Sequence, residues 1–101
     1  MDNISEIAFQ IILHAGNGRS SAMEAIQEAK AGNFEDANKK LEEASDELNK
    51  AHGFQTELIH SEAGGEGVHI NVLLVHSQDH LMNAMPVRDL ATEIIDIYRN
   101  K

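Results

Sequence analysis

Two histidines and a carboxylate fall within one apolar run of this chain, Val75-His76-Ser77-Gln78-Asp79-His80-Leu81-Met82. On a helix, residues three and four apart share a face, so His76, Asp79 and His80 project together. Imidazole titrates near neutrality, and its unprotonated nitrogen is a nucleophile toward an electrophile such as a phosphoryl group. Asp79, less than one turn beyond His76, can orient that ring, bind a cation or sit on a symmetry axis. Gln78, and His80 or Ser77, are candidates to contact the oxygens of a phosphoryl group. His76 and His80, four apart, can also ligate zinc on one face, although the Glu that follows the first His in metalloprotease helices is missing. A lone histidine is more often hydrogen-bonded in a core than reactive. Here the cluster lies among Ile70, Leu73, Leu74, Val75, Leu81 and Met82, and desolvating titratable groups is costly unless they serve a purpose. His14, His52, His60 and His69 are united by no spacing and read as structural or surface residues.

The elements that must hold this cluster are helical. Ala31-Gly32-Asn33 and the glycine-rich stretch 62–67 are the clear breaks, and apolar residues between them recur at spacings of three and four. That pattern predicts helices over about 4–31, 34–62 and 69–99. The first carries Ile4, Ile7, Ala8, Ile11, Ile12, Ala15, Ala22, Ala25, Ile26 and Ala29, with Asn3 or Ser5 as cap and Gly32 as terminator. Gly16 and Gly18 lie in its interior, at roughly 1 kcal/mol each relative to Ala, which suggests a kink or a close helix approach. The second is a narrow stripe of Phe34, Ala37, Leu41, Ala44, Leu48, Ala51, Gln55, Leu58 and Ile59 with a charged opposite face. The third carries Ile70, Leu73, Leu74, Leu81, Met85, Leu90, Ile94, Ile97 and Tyr98, and Pro86 within it implies a bend near 82–85.

Helices of about 30 residues are about 45 Å long. Three of them make an all-α, antiparallel (up-down-up) three-helix bundle, one domain over residues 1–101. Between Ile70 and Met85 the third helix is apolar on more than one face, and two neighbours cannot cover it. Self-association through this helix is the expectation, bringing copies of His76 and Asp79 near a symmetry axis.

Composition narrows the function further. The chain is 42% apolar and 25% charged, which is globular rather than disordered. Eight Lys and Arg against 17 Asp and Glu give a net charge of −9, which argues against nucleic acid or anionic lipid and favours a basic protein partner. Cysteine is absent, in keeping with a cytoplasmic setting. The start, Met1-Asp2-Asn3-Ile4-Ser5-Glu6, lacks the basic and long apolar regions of a leader, and no run reaches the roughly 20 apolar residues of a membrane span.

The segment at 75–82 resembles the phosphorylation-site segment of the enzyme IIA component of the bacterial sugar phosphotransferase system, lactose/cellobiose (diacetylchitobiose) family. That family typically reads His-Gly-Gln-Asp-His-Leu-Met there. Ala15-Gly16-Asn17-Gly18-Arg19-Ser20 is similar to the family's Ala-Gly-x-x-Arg-Ser. Ala51-His52-Gly53-Phe54-Gln55-Thr56, followed by Glu62-Ala63 and Gly65-Glu66, is similar to Ala-His-x-x-Gln-Thr leading into Glu-Ala-x-Gly-Glu. Ser77 in place of Gly and Pro86 in place of an ordinary helix former depart from the pattern. The resemblance implies a homotrimer of three-helix subunits with His76 as phosphoryl acceptor. It implies Asp79 from each subunit meeting a divalent cation, commonly magnesium, on the threefold axis. The phosphocarrier HPr would be donor and the cognate IIB the recipient, before uptake of a β-linked disaccharide by IIC. Two other classes fit the residues alone: a divalent-metal-binding bundle using His76 and His80, and a helical adaptor without chemistry.

Overall fold

The computed structural model describes residues 3–101; Met1 and Asp2, part of the stretch read as leader-free, lie outside the described residues. Three helices follow in order: α1 (Asn3–Lys30), α2 (Phe34–Ala63) and α3 (Val72–Arg99). Together they form an elongated up-down-up bundle measuring 52 × 22 × 18 Å. The helix α1 packs along both partners, while α2 and α3 meet each other much less. Among the described residues, no helix is long and apolar enough to cross a membrane.

Two glycines in the left-handed region end the first two helices. Gly32 has φ +84°, its N–H bonds the Ala29 carbonyl, and the Asn33 N–H bonds the Glu28 carbonyl at 2.8 Å. Gly65, at φ +88°, repeats the pattern with Glu62, while the Glu66 N–H reaches the Ser61 carbonyl at 3.0 Å. Each arrangement satisfies orphaned carbonyls of a last turn, and only a residue without Cβ adopts it at no steric cost. Asn3 and Ser5 both lie inside α1, so neither is its cap.

α3 begins three residues later than the apolar pattern predicts. Val68 packs in part against the core and Ile70 is exposed, but the first turn waits for Asn71. The Asn71 side chain accepts a hydrogen bond from the Leu74 N–H at 2.8 Å, an N-cap that fixes where the helix starts. The helix then continues unbroken through Pro86.

Which face of α3 turns inward also differs from the pattern. Leu74, Ser77, Leu81, Ala84, Ala91 and Ile95 are buried, whereas Leu90 and Ile97 are 61% and 64% exposed. Leu74, Leu81 and Ala84 join Ile7, Ile11, Leu48 and Leu58 in one cluster. Ile95 joins Ala25, Ala29 and Ala37 at the other end. With that face held against α1, the opposite face presents Val72, Val75, Asp79, Met82 and Pro86 outward. An apolar stripe therefore remains uncovered within one subunit, as the sequence led us to expect.

Candidate functional site

His76 lies on the outer side of α3, exposed, with the partly buried His80 one turn further on. Their Nε2 atoms are 3.1 Å apart, and the rings meet edge to face with centroids 4.5 Å apart. At that separation one nitrogen donates an N–H and the other accepts it, so one imidazole of the neutral pair must present a lone pair. Among the described residues, no carboxylate comes within ion-pair distance of either ring, so these two imidazoles define each other's hydrogen bonding.

Asp79 is exposed and lines the same open groove as His76 and His80, together with Asn83 and Pro86 of α3. The opposite wall is Arg19 of α1, a residue the sequence reading quoted in a motif but gave no role. Its signal was the Ala-Gly-x-x-Arg-Ser match; the missing information was the register between α1 and α3.

Two residues leave the cluster. Ser77 is fully buried, and its hydroxyl donates to the Leu74 carbonyl at 2.6 Å, so it cannot contact an external anion and is a packing residue. Gln78 lies two residues from His76 and turns toward α2. There its Oε1 accepts from Gln55 Nε2 at 2.7 Å and its Nε2 donates to Ser77 Oγ at 3.3 Å. Within one subunit Gln78 does not share the groove of His76.

Asp79 supplies a single carboxylate. Among the described residues, no group of three or more His, Asp or Glu side chains is placed to hold a metal ion. Among the described residues of one chain, then, neither Asp79 nor the pair of His76 and His80 belongs to a group of three such side chains placed to hold a metal ion.

A different histidine is bound by charge. His14 Nδ1 lies 2.6 Å from Glu47 Oε2, joining α1 to α2, and its ring stacks on Phe54. The hydrogen bond from His14 holds the Glu47 carboxyl below its ordinary range; partial burial opposes this, and Asn17 and Lys50 assist.

Comparison with known proteins gives the family of the chain. Residues 6–99 match the family described as the PTS system, lactose/cellobiose-specific IIA subunit. The lichenan-specific phosphotransferase enzyme IIA component of Bacillus subtilis is 62% identical over 97 residues, covering 96% of this chain and 88% of that protein. The crystal structure of the cellobiose-specific enzyme IIA of Bacillus anthracis superposes with TM-score 0.96 at 53% identity, over 99% of this chain and 92% of that one. The IIA(chitobiose) chain of the Escherichia coli IIA–HPr complex superposes with TM-score 0.84 at 35% identity, over 99% of this chain and 97% of that one.

Proposed function

This chain belongs to the lactose/cellobiose-specific IIA family of the sugar phosphotransferase system, and from that membership we propose that His76 carries a phosphoryl group from phospho-HPr to the cognate IIB component. The observation that carries the reading is the exposed imidazole whose Nε2, among the described residues, has only another imidazole, His80, within hydrogen-bond distance. With the shared proton on His80, His76 keeps its own proton on Nδ1, and its Nε2 lone pair accepts the His80 N–H until the phosphoryl group arrives and that N–H turns away. That pair forms the new P–N bond as the P–N bond to the HPr imidazole breaks, and the old bonding pair remains on HPr. The His80 Nε2–H then turns to a phosphoryl oxygen. The second transfer runs the same way toward the acceptor group of IIB. Little covalent chemistry is asked of the protein, so positioning and electrostatics supply the rate. Relatives are named for lichenan, cellobiose, galactose and N,N'-diacetylchitobiose. A β-linked disaccharide, as in the names of the cellobiose and N,N'-diacetylchitobiose relatives, is the sugar we favour, with the choice made in IIC and this component working on the cytoplasmic side.

Labelled phosphoenolpyruvate tests the assignment. With enzyme I and HPr both present, the chain should take up label that is acid-labile and alkali-stable, as a phosphoramidate is. His76→Gln should take up none. Normal labelling of His76→Gln alongside loss in His80→Gln would move the acceptor to His80.

We further propose that three copies associate through the outer stripe of α3. Val72, Val75, Asp79, Met82 and Pro86 recur at spacings of three and four, the period that packs helix against helix. An obligate contact of this kind buries roughly 1,000 Å² or more. Sedimentation equilibrium should give three times the 11.1 kDa chain mass; a stable monomer at micromolar concentration would overturn the trimer. In it the Asp79 carboxylates would converge and repel by several kcal/mol at an effective dielectric of about 20. A divalent cation, magnesium by family, would offset that through oxygen ligands. Asp79→Leu should then keep the trimer, lose its sensitivity to chelator, and melt above the metal-free parent.

A further inference from the structure

The outer groove contains one cationic group whose position calls for an anionic ligand. Arg19 is exposed on α1 and lines the same groove as His76 and His80 of α3. The other two arginines are tied to acceptors: Arg88 Nη2 lies 3.0 Å from Asp89, and Arg99 lies 3.5 Å from Asp96 and 2.9 Å from the Asn38 carbonyl oxygen of its side-chain amide. Arg19 has no ion pair or hydrogen bond from its side chain among the described residues, although Asp79 lines the same groove. In a chain with 17 acidic residues, a guanidinium left without a carboxylate beside a nucleophilic imidazole is unusual placement. Gly18 explains how it gets there. A Cβ at Gly18 would meet Leu48 Cγ at 2.8 Å and the Ala44 carbonyl at 3.2 Å, so this turn of α1 is seated hard against α2 and the next residue emerges on the α3 side.

We propose that Arg19 binds the phosphoryl group on His76, an inference that rests on His76 being the acceptor. The planar guanidinium fork matches two oxygens of a phosphoryl group, leaving the third to the His80 Nε2–H. In transfer, charge spreads over those three equatorial oxygens, and fixed donors facing them stabilise the transition state in both directions of the relay. Arg19 also offsets the field of the acidic chain at the one place where a dianion must settle.

Phosphorus NMR on the phosphorylated protein tests this. Wild type, Arg19→Gln and Arg19→Lys are phosphorylated through enzyme I and HPr, and the phosphohistidine resonance is followed against pH. Single-turnover transfer from phospho-HPr is measured in parallel, with His76→Gln as the control for the acceptor. Arg19→Gln should raise the pH at which the phosphoryl group takes up its proton and slow maximal transfer on the order of 100-fold. Arg19→Lys, which keeps the charge and loses the fork, should fall between. A phosphoryl titration in Arg19→Gln that superposes on wild type would overturn the proposal. A rise in KM for phospho-HPr alone, with titration and maximal rate unchanged, would overturn it too and make Arg19 a docking residue. Label persisting in His76→Gln would instead overturn the acceptor assignment, so the two failures are distinct. Arg19 is exposed, so the substitutions spare the core; should Arg19→Gln fail to fold, Arg19→Lys alone decides by whether its titration departs from wild type.

Discussion

Two histidine settings in this molecule differ in what surrounds the ring. His14 sits between α1 and α2, its Nδ1 2.6 Å from the Glu47 carboxylate and its ring stacked parallel on Phe54. His76 is on the outer face of α3, with another imidazole as its hydrogen-bonding neighbour and open groove beyond. A carboxylate and an aromatic face fix the first ring in place and make it a link between helices. The second ring is held only by a neighbour that can itself rotate, so a partner protein can reach it. A carboxylate at hydrogen-bond distance therefore marks the structural histidine here, whereas the ring of His76 has an imidazole at that distance and its charged neighbours, Asp79 and Arg19, only line the groove.

The sharpest way to break that comparison is to exchange the loss. His76→Gln should abolish phosphoryl uptake while leaving the fold within about 0.5 kcal/mol of wild type, as expected for an exposed position. His14→Gln should do the reverse, leaving uptake near normal and lowering the denaturation midpoint. Were His14→Gln to abolish uptake at unchanged helicity and assembly, the linking role would be wrong and His14 would belong to the reaction.

A smaller effect concerns the seam that frames His14. Gly18 lies one turn beyond it, where an added Cβ would come within 2.9 Å of Leu48 Cδ2, while Gly16 has nothing within 4 Å of the same atom. Both sit inside α1, so both gain the same helix propensity on becoming alanine, about 1 kcal/mol. Gly16→Ala should therefore stabilise by about that amount. Gly18→Ala adds a clash costing about 1–3 kcal/mol and should come out destabilised. Urea denaturation of the two variants side by side isolates the packing term, and equal shifts would mean that α1 and α2 do not approach so closely in solution.

Reading the sequence placed the helices well because glycines and apolar spacing are local signals. It named Gly32 as a terminator, and the positive φ there bears this out. It placed the start of α3 early because Ile70 and Val72 are apolar, whereas the start is set by the Asn71 cap. It took Leu90 and Ile97 for core and passed over Ala84, Ala91 and Ile95. The reason is physical: alanine carries a weak hydropathy signal, and a helix apolar on several faces does not announce which one a single subunit buries. The cluster of His76, Asp79 and His80 was legible because it lies within one helical turn or so. The contact between His14 and Glu47 spans 33 positions, and the groove shared by Arg19 and His76 depends equally on how α1 lies against its partners. Spacing along the chain carries neither.

The smallest predicted effect tests the tied histidine through its partner. The hydrogen bond from His14 lowers the Glu47 carboxyl pKa in the folded protein, with Asn17 and Lys50 contributing and desolvation opposing. A carboxyl whose folded value is depressed binds fewer protons in the native than in the unfolded chain, where its value is about 4.3. Its contribution to stability is therefore complete above that unfolded value and is lost as pH falls through the folded one. The Glu47 side chain is 22% exposed, so solvent screening leaves about 1 kcal/mol at stake. Glu47→Gln, measured by urea denaturation from pH 6 down to about 3, should be less stable than wild type at the upper end. The two curves should converge as acid protonates the wild-type carboxyl. Parallel curves would show that the contact with His14 does not stabilise the protein in solution, and the contrast between a tied and a reactive histidine would then rest on exposure alone.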